Sequence, residues 1–220
     1  MKKIIFLLAV IGMTASTYMS LFYAPTEKVM GDIQRIFYFH MGTVWVSTIA
    51  FILVFIASIM FLVRKTRKWD ILAYSSAEIG VVFITLTIIS GSIWAKPIWG
   101  TWWTWDPQLT TTFILWMLFI VYLILRSSSG NDQKKAKYAA VYAIVAFLDL
   151  PLVYISARVM RGISPVVFGP GGGGIDIKML ETMLVTFAGF TFLMVLILFE
   201  RIKIENLKYQ LDILKSENNS

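Results

Sequence analysis

The single histidine of this chain, His40, is its best candidate for binding a metal. It lies in the run Arg35-Ile-Phe-Tyr-Phe-His-Met-Gly-Thr-Val-Trp45, and imidazole is the commonest protein ligand of haem iron. The chain has no cysteine, which excludes thiolate haem ligation, covalent c-type haem attachment, an iron–sulfur cluster and a disulfide framework. Two interpretations of His40 stay open: an axial ligand of haem, or a histidine that is simply hydrogen-bonded.

Tryptophan is concentrated in one short stretch. Six of the eight tryptophans lie between Trp94 and Trp116, and four fall within Trp99-Gly-Thr-Trp-Trp-Thr-Trp105. On a helix, the spacing of Trp99, Trp102 and Trp103 predicts one shared face that lies along the membrane surface. Such a shelf stacks flat, conjugated, apolar ligands, although an interfacial aromatic belt is the competing interpretation.

The pair Asp106-Pro107 follows this stretch directly. An aspartate N-cap with proline at the first helical position is a strong helix start. We therefore predict that Asp106 caps the fourth span and holds the tryptophan loop against it. Direct contact between Asp106 and a ligand is the other interpretation.

Four further charged residues stand where charge needs an explanation. Arg158 and Arg161 are three residues apart and suit paired carboxylates through bidentate contacts, or else lipid headgroups. Glu78 and Asp149 are acidic residues within apolar sequence, where ionisable groups are costly. We expect Glu78 to reach the interface or pair with a neighbouring helix. Pro151 should break the helix beside Asp149, whose carboxylate would accept the freed amides or orient a ligand.

The chain that must position these groups has the composition of a membrane protein. It has 220 residues, 58% of them hydrophobic and 15% charged, whereas soluble domains average about 45–50% apolar and about 25% charged. A net charge of +7 would indicate a nucleic-acid surface in a soluble protein. In a membrane protein basic residues more often record orientation, so we expect no nucleic-acid partner.

Six apolar runs are long enough, at about 20 residues each, to cross a bilayer as helices. None shows the alternating pattern of a membrane β-strand. The predicted fold class is all-α, a polytopic integral membrane protein with six transmembrane helices in a single membrane domain that covers residues 1–220. The predicted spans are 4–23, 43–62, 71–95, 109–125, 138–156 and 179–199.

Lysine and arginine are divided unequally between the two sides of these spans. Fourteen lie on the side of both termini and six on the other, so the positive-inside rule puts the N- and C-termini in the cytoplasm. The loops 24–42, 96–108 and 158–178 then face outward, and residues 200–220 form a cytoplasmic amphipathic tail. The first run also resembles a signal peptide, but its length and the lack of a clean cleavage site favour a retained span.

A specific resemblance appears in the tryptophan stretch. Trp99-Gly-Thr-Trp-Trp-Thr-Trp-Asp-Pro-Gln-Leu-Thr110 matches the pattern WGxxWxWDxxLT at every fixed position. This is the signature of the haem-handling membrane proteins of cytochrome c biogenesis. Further similarity lies around 36–40 and 149–156, and with six spans the chain most resembles the haem exporter protein C (CcmC) family over most of its length.

The resemblance implies a haem carrier and not an enzyme. Family members are understood to hold haem b, transiently and non-covalently, at the outer face between the tryptophan-rich loop and two histidines. His40 matches the first histidine, whereas Ser164 stands at the position of the second. Met160 is a candidate sixth iron ligand, and a five-coordinate iron or a ligand from another chain are the alternatives. The residues implied to contact haem in the loop are Trp99, Trp102, Trp103, Trp105 and Asp106.

The resemblance also implies partners and a location. Arg158, Arg161 or Lys96 would neutralise the haem propionates. Implied partners are the haem chaperone CcmE, ABC transporter subunits and a small membrane partner of the cytochrome c maturation system, at the cytoplasmic (inner) membrane with the haem-handling loops outward. The competing class is a haem-free transporter subunit, a permease component whose tryptophans are interfacial anchors.

Overall fold

The computed structural model describes residues 2–28, 30–127, 132–159 and 175–218, which contain helices and no β-strand. A π-helical turn at Met19–Tyr23 extends the first helix, and a 3₁₀ turn at Asp32–Gln34 precedes the second. The helices are α1 Lys2–Tyr18, α2 Arg35–Arg64, α3 Arg67–Trp99, α4 Pro107–Ser127, α5 Asp132–Phe147, α6 Asp149–Val159 and α7 Ile177–Asn218.

Six helical segments are long and apolar enough to cross a membrane, which confirms the all-α polytopic fold. They are Lys2–Tyr23, Asp32–Arg64, Arg67–Trp99, Pro107–Ser127, Gln133–Val159 and Ile177–Leu211. Each predicted span lies inside one of these segments, but most of the helices run further than predicted. The reason is that caps, rather than the last apolar residue, end a helix. Lys65, for example, has a φ of 52° and its N–H donates to the Phe61 carbonyl at 2.7 Å.

Four helical columns form a ring. α2, α3, α4 and the pair α5–α6 pack in sequence, α7 packs on α2 and α3, and α1 packs on α7. The larger core cluster lies within the ring, where the Phe51 and Phe119 rings are stacked with centroids 3.9 Å apart.

Ion pairs join helices toward the end of the bundle where α3 begins. Arg201 of α7 donates from Nε to Glu78 of α3 at 2.8 Å. Arg126 of α4 donates to Asp70 of α3 at 2.9 Å. Pairing offsets the cost of removing these charges from water. Glu78 therefore pairs with a neighbouring helix, one of the two roles predicted for it.

The fifth span is divided into two helices. α5 ends at Phe147 and α6 begins at Asp149, while the Leu148 N–H turns back to the Val145 carbonyl at 3.1 Å. Pro151 has no N–H to donate to the Phe147 carbonyl, so the helical ladder is interrupted where the sequence predicted. Asp149 is buried at this break, and its Oδ2 has no hydrogen-bond partner among the described residues.

The two halves of this span have different neighbours. α5 packs on both α2 and α4, and Phe147 stacks on Phe55 of α2 with ring centroids 4.2 Å apart. α6 also packs on α4, where the Ser156 and Thr111 hydroxyls are 3.2 Å apart. The break thus turns the outer half of the span away from α2.

The first and last spans meet through small residues. A Cβ added to Gly12 of α1 would lie 2.7 Å from the Cα of Gly189 of α7, so the two backbones are in close contact. One turn further on, the Ser16 and Thr186 hydroxyls are hydrogen-bonded at 2.7 Å in a buried position. Small-residue contacts of this kind drive helix association in membranes.

Candidate functional site

The described part of the chain contains a cavity of about 290 Å³ between α2, α3, α4 and α6. It lies at the end of the bundle where α2 and α4 begin and α3 and α6 end, which is the predicted outer end. Along α2 it extends from Phe37 to Thr48, about 16 Å at the helical rise of about 1.5 Å per residue. The candidate site is therefore a cavity that enters the bundle, and not the flat shelf that the tryptophan spacing predicted.

His40 lines this cavity from within α2. Its Nδ1 is 3.1 Å from the Ser90 hydroxyl of α3, and that hydroxyl donates its only hydrogen to the carbonyls of its own helix, 2.7 Å from Leu86 O. Because that hydroxyl already donates, the arrangement favours the neutral tautomer in which Nδ1 carries the proton and donates to Ser90. In that tautomer Nε2 keeps its lone pair and is the nitrogen available to a metal.

A glycine lets this imidazole lie close to α3. A Cβ added to Gly91 would be 3.2 Å from Cε1 of His40, tighter than an ordinary contact. The adjacent Ser90 and Gly91 thus fix both the hydrogen bond and the distance of the ring from the helix.

The tryptophan loop is not helical, which corrects the predicted shared face. α3 ends at Trp99 because Gly100 adopts a φ of 74° and its N–H bonds to the Lys96 carbonyl. Trp99 and Trp103 line the cavity, whereas Trp102 and Trp105 do not and are 57% and 70% exposed. Two of the four indoles thus line the cavity, and the other two lie outside it.

Asp106 caps α4, as predicted. Its Oδ1 accepts the Leu109 N–H at 3.0 Å and its Oδ2 accepts the Thr104 hydroxyl at 3.1 Å. Pro107 is the first residue of α4. Both carboxylate oxygens thus hold the loop onto the helix, and Asp106 is not among the residues that line the cavity.

Three cavity-lining residues carry buried polar atoms without a hydrogen-bond partner in the described ranges. They are the indole Nε1 of Trp94, the indole Nε1 of Trp103 and Oε1 of Gln108. Buried polar groups are normally paired, so these atoms suit a ligand that offers hydrogen-bonding groups. The roles of Trp94, Gln108 and Ser90 were not predicted from the sequence. The signal for two of them was local, since Gln108 lies within the tryptophan signature and Trp94 lies shortly before it.

The predicted cations are not all brought to the cavity. Arg158 lines it and is exposed at the end of α6. Lys96 does not line it, since its Nζ donates to the Gly100 carbonyl at 3.0 Å and lies 5.9 Å from the Trp102 ring centroid. Asp149 does not line it either. Three further candidates, Met160, Arg161 and Ser164, lie outside the described residues.

Comparison with known proteins decides the family. The family model for Heme exporter protein C, CcmC, matches residues 1–216 of this chain. The chain belongs to the CcmC family. CcmC proteins are membrane components of cytochrome c biogenesis that handle haem, and they are not enzymes.

Individual CcmC relatives are similar at moderate identity. A Heme exporter protein C of Bradyrhizobium diazoefficiens is 31% identical over 78% of this chain and 66% of its own length. A ccmC-like mitochondrial protein of cytochrome c biosynthesis from Marchantia polymorpha is 30% identical over 80% of this chain and 75% of its own. The Heme exporter protein C of Escherichia coli K12 is 27% identical over 62% of this chain and 56% of its own length.

Proposed function

We propose that this CcmC protein binds haem b in the cavity, non-covalently and transiently, and delivers it to the haem chaperone CcmE. The observation that carries the proposal is the contact of His40 Nδ1 with Ser90 at 3.1 Å inside the cavity, which leaves Nε2 as the ring nitrogen suited to bind the iron. Trp99 and Trp103 supply aromatic surface against the porphyrin, where each offset ring pair contributes about 0.5–1.5 kcal/mol beyond burial.

The remaining groups recognise the rest of the haem. Arg158, which lines the cavity, is suited to bind a haem propionate. Arg161 and Lys96 are further candidates for this role. The exposed rings of Trp102 and Trp105 are suited to present the haem edge to the chaperone. Ligand contact by Asp106 stays a prediction, and its capping bonds support a structural role.

The visible spectrum of the protein purified in detergent tests this function. We expect a Soret band after purification or after addition of haemin, and a pyridine haemochrome that identifies haem b. A spectrum without haem under both conditions would contradict the proposal and favour the permease component.

The hydrogen bond between Ser90 and His40 yields a further prediction. Outer-shell partners of a metal-binding histidine typically change affinity by about 10–100-fold, so we expect Ser90→Ala to weaken haem retention by about that factor and to alter the Soret band. Ser92→Ala is the matched control, because Ser92 also lines the cavity but, among the described residues, its hydroxyl bonds only the Ile88 carbonyl, at 2.9 Å. Equal retention in the two variants would remove Ser90 from the site.

Orientation in the membrane is a separate part of the proposal. We infer an inner-membrane protein with the tryptophan loop outside, working with ABC transporter subunits and a small membrane partner. Because the chain has no cysteine, single cysteines at Thr104 and Lys134 can be labelled without background. We expect an impermeant thiol reagent to label Thr104→Cys in intact cells and Lys134→Cys only after lysis. The reverse pattern would overturn the orientation.

The second axial ligand is the least constrained part of the site. Serine is a poor iron ligand, so we expect Ser164→His to give a low-spin bis-histidine spectrum and slower haem loss. Met160→Leu should change the spectrum only if Met160 is the present sixth ligand. An unchanged spectrum and rate of haem loss in Ser164→His would show that position 164 does not face the iron.

A further inference from the structure

The cavity has one side on which its walls do not pack against each other. α2 contributes Met41 and Val44 to the lining, and α6 contributes Val153 and Ala157. The other neighbours in the ring pack extensively in the described part of the chain, but α2 and α6 do not. We call the gap between these two helices the α2–α6 seam.

The helix break at Leu148 explains the seam. On the inner side of the break, Phe147 of α5 stacks on Phe55 of α2. On the outer side, the Ser156 hydroxyl of α6 is hydrogen-bonded to the Thr111 hydroxyl of α4, so α6 moves away from α2 as it runs toward the outer end. The two walls therefore diverge from the break outward.

A hydrogen bond closes the inner end of the seam. The Thr48 and Tyr154 hydroxyls are 2.8 Å apart, the one side-chain hydrogen bond between α2 and α6 in the ranges that the structure describes. Tyr154 is 49% exposed although it also lines the cavity. The seam thus connects the cavity with the perimeter of the bundle.

The surroundings of the seam favour contact with lipid. Among the described residues, α7 packs on α2 and α3, α1 packs on α7, and neither packs on α6, so these two helices leave the α2–α6 side of the ring uncovered. The residues named on both walls are apolar, which suits the acyl region. Arg158 is exposed at the outer end of α6, at the level where anionic groups would meet lipid headgroups.

We propose that the α2–α6 seam is a lateral portal through which haem, a planar amphiphile with two carboxylates, passes between the outer leaflet and the cavity. This inference rests on the proposed haem binding. The apolar body of the ligand slides between the walls, its carboxylates stay near Arg158, and the Thr48–Tyr154 bond limits how deep it enters.

A reversible cross-link tests the portal. In vesicles, the double variant Val44→Cys/Ala157→Cys joined by a thiol-cleavable bismaleimide should take up haem from haem-loaded bilayers about tenfold more slowly or worse, because blocked access limits the rate. Cleavage of the cross-link with reductant should return the rate of haem uptake to the value that the same sample had before cross-linking. Growth of the Soret band measures both rates.

The matched control cross-links helices away from the seam. Tyr23 of the α1 extension donates to Glu181 of α7 at 2.6 Å, so Tyr23→Cys/Glu181→Cys joined by the same reagent should leave the uptake rate unchanged. An unchanged rate in the cross-linked seam variant would overturn the portal while leaving haem binding intact. Failure of the parent protein to bind haem would instead overturn the proposed function.

Discussion

Protein carrying His40→Gly is expected to lose its haem during purification and to fail in cytochrome c maturation. Loss of an outer-shell partner costs about 10–100-fold, so loss of the ligand itself should exceed about 100-fold in haem retention. Free imidazole added to this variant should restore the Soret band, because the missing side chain leaves space in the cavity beside Ser90. Absorption spectra with and without imidazole make the measurement.

The neighbouring residue supplies the matched control. Phe39 is on the same helix, 46% exposed, and its ring meets Phe190 with centroids 5.6 Å apart instead of lining the cavity. Phe39→Gly therefore carries the same glycine penalty of about 1 kcal/mol in a helix and should keep haem. Normal haem content in His40→Gly would remove His40 as the iron ligand. The same conclusion would follow if imidazole failed to restore the Soret band of His40→Gly and Phe39→Gly also lost its haem.

We expect Gly189→Leu to detach α1 from α7. The new Cβ would lie 2.7 Å from the Gly12 carbonyl carbon, and backbone cannot yield as a flexible side chain can. Overpacking typically costs about 1–3 kcal/mol, and a backbone clash belongs at or above the upper end of that range. The expected result is a lower melting temperature in detergent and faster proteolysis of the α1 segment.

Ala188→Leu is the control for this effect. Ala188 precedes Gly189 but is exposed on the bundle surface, so the same side chain has room there. Its melting temperature should match that of the parent. If Gly189→Leu has the same melting temperature as the parent, the close contact between α1 and α7 is not needed for stability.

Local signals in the sequence were the most predictive. The Asp106-Pro107 pair specified its own cap, because the carboxylate bonds the N–H of a residue only three positions later. Pro151 located the break in the fifth span, since the missing N–H is a property of the residue itself. The apolar runs located the spans because a helix must be long enough to cross the bilayer.

Contacts between distant residues were not predictable in this way. Nothing in the sequence pairs His40 with Ser90, fifty positions later. The helical face predicted for the tryptophans was wrong because Gly100 takes the left-handed conformation, which only backbone geometry reveals. The cavity likewise depends on α6 turning away from α2, which no single motif encodes.

The pairing of α1 with α7 also imposes an order on biosynthesis. Ser16 and Thr186 are 170 positions apart, so at about 5–20 residues per second the ribosome delivers the partner of α1 roughly 10–35 s after α1 itself. During that interval α1 lacks its main packing surface. α1 is consequently completed by a helix that is synthesised much later, and ribosomes that stop before α7 leave a chain in which α1 has no such packing partner.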